Sequence, residues 1–186
     1  MTTPHAAEPY PLTSPPTDLQ TITQVDSSLV FPSFDSTTAW ALGSLLRTRL
    51  LTHANPTCIS INLANTTPLF YAATKPGTTP DNTSWVQRKQ RSVLRFGCST
   101  WFLSNKFGGD EGAFAAKYGL GERVGDYAIH GGGWPVRVRG VEGVVAVVVV
   151  SGLKQDQDHQ VIVQTVRDFL GAAAALDEEG EKRKED

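Results

Sequence analysis

The feature that most constrains this chain is the apolar run Val144–Val150, seven continuous aliphatic residues that follow Glu142 and Gly143. A helix needs about 20 apolar residues to cross a bilayer, so the run is too short for a membrane span. β-Branched residues favour strands, and a run of this length next to glycine is typical of a strand that is buried on both faces. The run therefore predicts a strand covered by other elements on each side.

Charge and cysteine content exclude several classes of protein. The chain has 186 residues, with 17 basic and 19 acidic side chains and a net charge of −2. Such a balance gives no whole-molecule field to attract nucleic acid or an anionic membrane, so neither is an expected partner. Cys58 and Cys98 are 40 positions apart, which fits neither a disulfide framework nor a zinc site.

The composition divides the chain into three parts. Residues 1–20 hold five of the eleven prolines and no long apolar run, which predicts a flexible arm without a secretion signal. Residues 177–186 hold six acidic and three basic residues, which predicts a disordered tail. Without that tail the net charge is +1. Residues 21–176 are expected to form a single domain, and the protein is expected to be cytoplasmic.

Periodicity within the domain predicts an α+β fold. Helices are expected near residues 36–53, 84–96, 111–118 and 157–175, with strands near 58–63, 68–74, 135–139 and 144–151 and an extended piece near 28–34. Hairpins with interposed helices, and no repeated βαβ unit, favour an antiparallel sheet with helices on its faces. No dinucleotide-binding or P-loop glycine motif occurs.

Three segments could carry chemistry, and the first is the basic stretch 81–97. As a helix it places Arg88, Arg91 and Arg95 on one face, and Lys89 brings four cations within eight residues. Guanidinium groups pair bidentately with carboxylates and phosphates, which favours an anion site. A solvated helix face, or a salt-bridge surface between subunits, is the alternative.

The second segment is the glycine-rich bend at residues 127–135. Gly131, Gly132 and Gly133 have no Cβ, so the backbone could approach a ligand closely, and His130 could act as base, donor or metal ligand. The His-Gly-Gly-Gly spelling also occurs in lipases, but no G-x-S-x-G nucleophile elbow exists here, which excludes that class. Alternatively the bend serves strand packing alone.

The third segment, residues 151–159, links the apolar strand to the last helix. Asp156 and Asp158 could cap that helix, since carboxylates are favoured near a helix N-terminus. Asp158 could instead orient His159, with His130 converging on them as a ligand or general-base site. Two histidines and one carboxylate could hold a metal, but this spacing does not assign one.

Together these segments resemble the haem-degrading-domain (HbpS-like) superfamily, most closely a fungal and bacterial branch of functionally uncharacterised proteins. The motifs that carry the resemblance are Trp85-Val-Gln-Arg-Lys, Leu94-Arg-Phe-Gly97 with Ser99, His130-Gly-Gly-Gly, and Ser151-Gly-Leu-Lys-Gln-x-x-Asp158-His159. The resemblance covers about residues 34–170. It implies a profilin-like, three-layer α/β/α fold with a five-stranded antiparallel sheet, self-assembly into dimers or larger rings, and haem binding or breakdown. Cys98 departs from the histidine or small residue expected there, and we expect an inert thiol.

The leading hypothesis is a homo-oligomeric binding protein for a small carboxylate-bearing or planar ligand, with haem as a candidate cofactor. His130 or His159 would contact the ligand's centre, the cations would pair with its carboxylates, and Trp134 would stack on it. The predicted ligand-binding residues are Trp85, Arg88, Lys89, Arg91, Gly131, Gly132, Gly133, Trp134, Ser151 and Gly152. One alternative is an enzyme for a small organic acid or secondary metabolite, with His159 as general base held by Asp158 and assisted by His130. Another is an interaction or assembly protein.

Overall fold

The computed structural model describes the backbone of residues 8–185 and the side-chain environment of residues 8–175. In chain order the elements are α1 (Leu19–Ser28), β1 (Val30–Phe31), α2 (Ser36–Leu50), β2 (Cys58–Leu63), β3 (Pro68–Ala73), α3 (Pro80–Phe96), α4 (Thr100–Lys106), α5 (Glu111–Tyr118), a 3-10 helix (Gly121–Asp126), β4 (Gly133–Val138), β5 (Ala146–Ser151) and α6 (Gln155–Glu185).

The strands form one sheet in the order β1-β4-β5-β2-β3. Strands β4, β5, β2 and β3 pair antiparallel, and Ile61 of β2 lies opposite Val148 of β5. The predicted α+β class is confirmed, but the prediction of a purely antiparallel sheet is wrong, because β1 pairs parallel with β4. About 100 residues separate these two strands in the sequence, so no tight turn imposes antiparallel pairing on them.

Strand β5 is buried along its whole length, as the apolar run predicts. Val148 and Val150 face a core shared with Leu46 of α2 and Ile162 of α6. Val147 and Val149 face the other side, where the core includes Val86 and Val93 of α3. Helices therefore cover both faces of the sheet, and β5 is apolar throughout because each face meets a helix layer.

A third apolar cluster supports the chain just before β4. It joins α4, α5 and the 3-10 helix to the approach to the glycine bend, through Leu103, Phe114, Leu120, Tyr127 and Ile129. Because Tyr127 and Ile129 belong to this cluster, it holds the segment that leads to His130 in place.

Two α-helices, α1 and α4, and the 3-10 helix were not predicted from the sequence. In α1 only Ile22 and Asp26 are buried, and one of these is a carboxylate, so few apolar residues mark this helix in the sequence. Helix α4 follows α3 almost directly: Gly97 ends α3 in the left-handed conformation, and the Ser99 side chain accepts the first amide hydrogen bond of α4. Gly97 is a typical helix-ending residue and Ser99 a typical N-cap, so the boundary between α3 and α4 has a signal in the sequence.

The arm and the tail both differ from their predictions where they are described. From residue 8 the arm is held to the helices, since the Thr13 amide donates to Gln164 Oε1 (2.9 Å) and Trp101 Nε1 donates to the Pro16 carbonyl (2.7 Å). Proline keeps a carbonyl acceptor even where it has no amide to give. Residues 1–7 lie outside the described residues. Helix α6 continues through residues 177–185, because Glu, Lys and Arg extend a helix that is already nucleated.

Candidate functional site

A pocket of about 270 Å³ lies where helix α3, the glycine bend and the β5–α6 turn meet. The structure thus brings together residues from all three segments that the sequence marked as chemically interesting. The lining residues are Asn82, Trp85, Lys89, His130, Ser151, Gly152, Leu153, Gln155 and Asp158.

The floor of the pocket is a buried ion pair between Lys89 of α3 and Asp158 of α6. Lys89 Nζ lies 3.0 Å from Asp158 Oδ2, and the two side chains are 3% and 4% exposed. Lys89 also donates to the Val150 carbonyl at 3.0 Å, while the Leu153 amide donates to Asp158 Oδ1 at 3.0 Å. Burial raises the pKa of the Asp158 carboxyl, and the Lys89 ammonium acts in the opposite sense. The charge of Lys89 is therefore compensated inside the protein rather than offered to a ligand.

Gly132 makes room for this ion pair, and Gly131 and Gly133 make room for the helices that pack on either side of it. At Gly132, where φ is +109°, an added Cβ would lie 2.7 Å from Lys89 Nζ and 2.4 Å from the Val150 carbonyl. At Gly131 it would lie 2.3 Å from the Gln155 carbonyl. All three residues are buried, and the amides of Gly131 and Gly133 donate to protein side chains. The bend is glycine-rich because α3 and α6 pack directly on its backbone.

His130 is the most accessible titratable group of the pocket, with 43% of its side chain exposed. Its ring meets Trp85 edge to face, with the centroids 5.0 Å apart. Its Nδ1 lies 3.5 Å from Glu111 Oε1, an electrostatic contact without hydrogen-bond geometry. Burial lowers the pKa of His130; Glu111 opposes this shift, and the Lys89 and Arg88 cations add to it. The imidazole is therefore mostly neutral near pH 7.

His159 and Asp158 do not form the predicted dyad. Successive residues on a helix point about 100° apart, so Asp158 faces Lys89 while His159 faces Trp101, with the rings stacked at 5.8 Å. Within the described residues His159 Nδ1 has no hydrogen-bond partner. Burial lowers the pKa of His159 to about 3, and the residue does not line the pocket.

Trp134 also lies away from the pocket. It is fully buried in the core on the opposite face of the sheet, where its Nε1 donates to Asp26 Oδ1 at 3.0 Å. Since side chains alternate along a strand, Gly133 faces α3 and Trp134 must face the other layer. It is therefore not available to stack on a ligand in this pocket.

The predicted cation cluster is dispersed. Arg88 Nε donates to the Tyr127 carbonyl at 2.9 Å, and its guanidinium lies over the Trp85 ring. Arg91 lines a different pocket. Arg95 lies over the Tyr127 ring. The four cations therefore do not converge on one anion.

Several residues of the site were not predicted from the sequence. Gln155 holds the bend, because its Oε1 accepts from the Gly131 amide and the Ser104 hydroxyl. Glu111 reaches His130 from the first turn of α5. Asn82, a capping residue of α3, was identifiable only as a cap. Leu153 contributes an apolar edge.

The remaining sequence expectations concern thiols, metals and membranes. Burial, together with the nearby Asp26 carboxylate, raises the pKa of the Cys98 thiol to about 11, so the thiol is neutral and unreactive. Among the described residues, no group of three or more His, Cys, Asp or Glu could hold a metal ion. No helix in the described part of the chain is long and apolar enough to cross a membrane.

Breaking the ion pair from one side should be costly. Lys89→Met leaves the Asp158 carboxylate buried and unpaired, and we expect it to lower the free energy of unfolding by about 3–5 kcal/mol. The double variant Lys89→Met/Asp158→Leu should lose much less than the two single variants together. Urea denaturation measures each value. As a control, Asp168→Asn removes the more exposed Arg49–Asp168 pair and should cost less than about 1 kcal/mol. Additive losses would contradict the assigned pairing.

His159 should make stability fall in acid. Its folded-state pKa of about 3 lies below that of an exposed histidine, so the unfolded chain binds the proton first. The contribution is complete above about pH 6.5 and is lost as the pH falls towards 3, by about 4 kcal/mol. Burial raises the pKa of Asp26 and of Asp158, which works in the opposite direction. We therefore compare the protein with His159→Gln, whose unfolding free energy should fall less between pH 7 and pH 4; equal falls would contradict the assignment.

Comparison with known proteins places this architecture in a family. Residues 34–167 match the model of a family described as haem degrading protein HbpS-like. A UPF0303 protein of Serratia proteamaculans (strain 568) is 38% identical over 154 residues, which cover 83% of this chain and 92% of that protein.

Solved structures agree with this assignment. The crystal structure of the Ybr137w protein aligns with a TM-score of 0.76 and 28% identity, covering 82% of this chain and 87% of that one. The structure of a PduOC complex with haem aligns with a TM-score of 0.58 and 22% identity, covering 75% and 95%, and supports the fold alone. The resemblance predicted from the three motifs is confirmed, and the chain belongs to the HbpS-like haem-degrading protein family.

Proposed function

We propose that this protein binds a planar small molecule in the His130 pocket, with haem as the first candidate. The observation that carries the proposal is a half-exposed imidazole, neutral near pH 7, that lies beside the Trp85 ring above a compensated ion pair. Aromatic faces and a small number of placed polar groups are what planar ligands need from a pocket.

The charges of the site favour a planar ligand over a small free anion. Lys89 is fully paired with Asp158, and Arg88 is engaged with Tyr127 and lies 3.5 Å from Glu111. A small anion would have to compete with these partners for each cation. A planar ring requires only the exposed edge of His130 and the side of Trp85.

His130 meets the chemical requirements of an iron ligand. A neutral imidazole is the form that coordinates metal, and a carboxylate near its second nitrogen orients such a histidine and raises its basicity. Glu111 Oε1 lies 3.5 Å from Nδ1, an electrostatic contact without hydrogen-bond geometry. Bound haem would supply an iron that accepts the imidazole nitrogen. The family description and the PduOC complex with haem make haem the planar ligand to test first.

The enzyme hypothesis requires a general base formed by His159 and Asp158. Asp158 binds Lys89 rather than His159, and His159 is buried outside the pocket. The pocket therefore offers no His159–Asp158 general base, and binding is the function that its geometry supports best. A cytoplasmic location stays a prediction.

A hemin titration tests the proposal. We expect the protein to shift the Soret band of hemin with a micromolar or tighter dissociation constant, and His130→Ala to weaken binding at least about tenfold. His53→Ala is the matched control, because His53 lies in the turn after α2, outside the pocket, and its loss should leave hemin binding unchanged. Absence of a Soret shift, or equal effects of the two variants, would refute the haem proposal.

We infer further that a second copy of this chain covers the edge strand β3. Two large aromatic side chains at this edge are exposed: Trp40 of α2 by 65%, and Tyr71 of β3 itself by 51%. Trp40 packs edge to face on Phe70, and Tyr71 points to the α3 side, where its hydroxyl meets Thr83. An edge strand also presents unpaired backbone groups, which another copy can satisfy. Self-association through this edge is the arrangement that buries both aromatic rings.

Sedimentation equilibrium tests this assembly. The protein should have a mass that is a multiple of 20.1 kDa, and the double variant Trp40→Ser/Tyr71→Lys should approach the monomer mass. Val141→Lys, which replaces an exposed residue between β4 and β5, should leave the mass unchanged. A monomeric wild type, or an unchanged mass in the double variant, would refute the assignment.

A further inference from the structure

A second pocket, of about 320 Å³, lies on the other side of α3, against the β2–β3 hairpin. It shares no lining residue with the His130 pocket, so the two are separate sites. Its lining is rich in carboxamides, with a single guanidinium and one apolar side chain. The lining residues are Asn62, Thr66, Gln87, Gln90, Arg91 and Leu94.

A directed chain of hydrogen bonds leads from the sheet into this pocket. Ser60 Oγ donates to Asn62 Oδ1 at 2.7 Å, and Asn62 Nδ2 donates to Gln90 Oε1 at 3.2 Å. Each step fixes the orientation of the next amide, since an amide whose oxygen is used must present its nitrogen elsewhere. The chain therefore ends on the two N–H groups of Gln90.

Gln90 is the residue that marks this pocket as a binding site. It is only 7% exposed, and among the described residues its Nε2 finds no acceptor. The Nε2 atom itself keeps some solvent access, so water in the pocket, or a ligand that displaces this water, can satisfy the donor. The pocket side of Gln90 is thus prepared to donate to an incoming oxygen atom.

Arg91 adds a positive charge that the protein does not fully neutralise. Its side chain is 51% exposed, and the nearest carboxylate oxygen, Asp126 Oδ1, is 3.9 Å away. That distance is too long for a hydrogen bond. Asp126 already accepts from Arg123 Nε at 3.2 Å, so two cations share one carboxylate. The guanidinium fork remains available to pair with an oxyanion.

We propose that this pocket binds the carboxylate of a small organic acid. A carboxylate is planar and only accepts hydrogen bonds, so its two oxygens match the Arg91 fork and the Gln90 amide donors. Leu94 offers apolar contact to the carbon chain of the acid, and Gln87 can meet a second polar group. The small carboxylate that the sequence suggested is therefore assigned to this pocket rather than to the site of His130.

Succinate is the probe, and the readout is the side-chain amide signal of Gln90 in ¹⁵N-correlated NMR spectra of the full-length protein. We expect this signal to shift on titration with succinate and not with 1,4-butanediol, which has the same carbon chain without charge. Arg91→Gln and Gln90→Leu should each weaken succinate binding at least about tenfold, because each removes hydrogen bonds to a charged group. The Gln90→Leu titration is followed by calorimetry, since that variant lacks the reporter signal.

Two matched variants distinguish binding in this pocket from binding elsewhere on the protein. Arg95→Gln removes an exposed cation from the same helix outside the pocket and should bind succinate like the wild type. His130→Ala should also bind succinate like the wild type, because His130 does not line this pocket. The succinate test therefore does not depend on the outcome of the haem test. Arg91 is exposed, so its variant retains the test if Gln90→Leu does not fold. No shift with succinate, phosphate binding as tight as succinate, or equal losses in Arg91→Gln and Arg95→Gln would overturn the proposal.

Discussion

The buried ion pair between Lys89 and Asp158 is the interaction on which the rest of the site depends. It joins α3 to α6 across the end of β5, at a place where Lys89 also binds the last residues of that strand through the Val150 carbonyl. A buried charge is tolerated only when it is paired and hydrogen-bonded, so both helices must approach closely. This approach leaves no space for a Cβ at Gly132, so the ion pair requires glycine at that position.

The same pairing determines the electrostatic character of the main pocket. Lys89 is paired with Asp158, and Arg88 donates to the Tyr127 carbonyl and does not line the pocket, so His130 and Trp85 meet a ligand without free cations beside them. His130 owes its low pKa to partial burial and to these neighbouring cations, with Glu111 acting against them. A pocket that looks basic in the sequence is therefore an aromatic and nearly neutral pocket in three dimensions.

Helix α3 directs neighbouring residues into two different pockets. Lys89 lines the His130 pocket, whereas Gln90 and Arg91 line the pocket beside the β2–β3 hairpin. Residues that are neighbours in sequence differ by about 100° in direction on a helix, so a dense cluster of cations is distributed over different surfaces. Each surface has its own partner: the Asp158 carboxylate of α6 on one side, and the Asn62 amide of β2 on the other.

The sequence by itself determined the α+β class, most of the helices and strands, and the family. The valine run, the alternation of strands, and helix stops such as Gly119 depend on local periodicity and backbone conformation, which are encoded over short distances. Only the tertiary structure decided that β1 pairs parallel with β4, that Trp134 belongs to the core, and that Asp158 binds Lys89 rather than His159. These outcomes depend on which faces and which distant segments meet. Lys89 and Asp158 are 69 positions apart, so no local pattern predicts their contact.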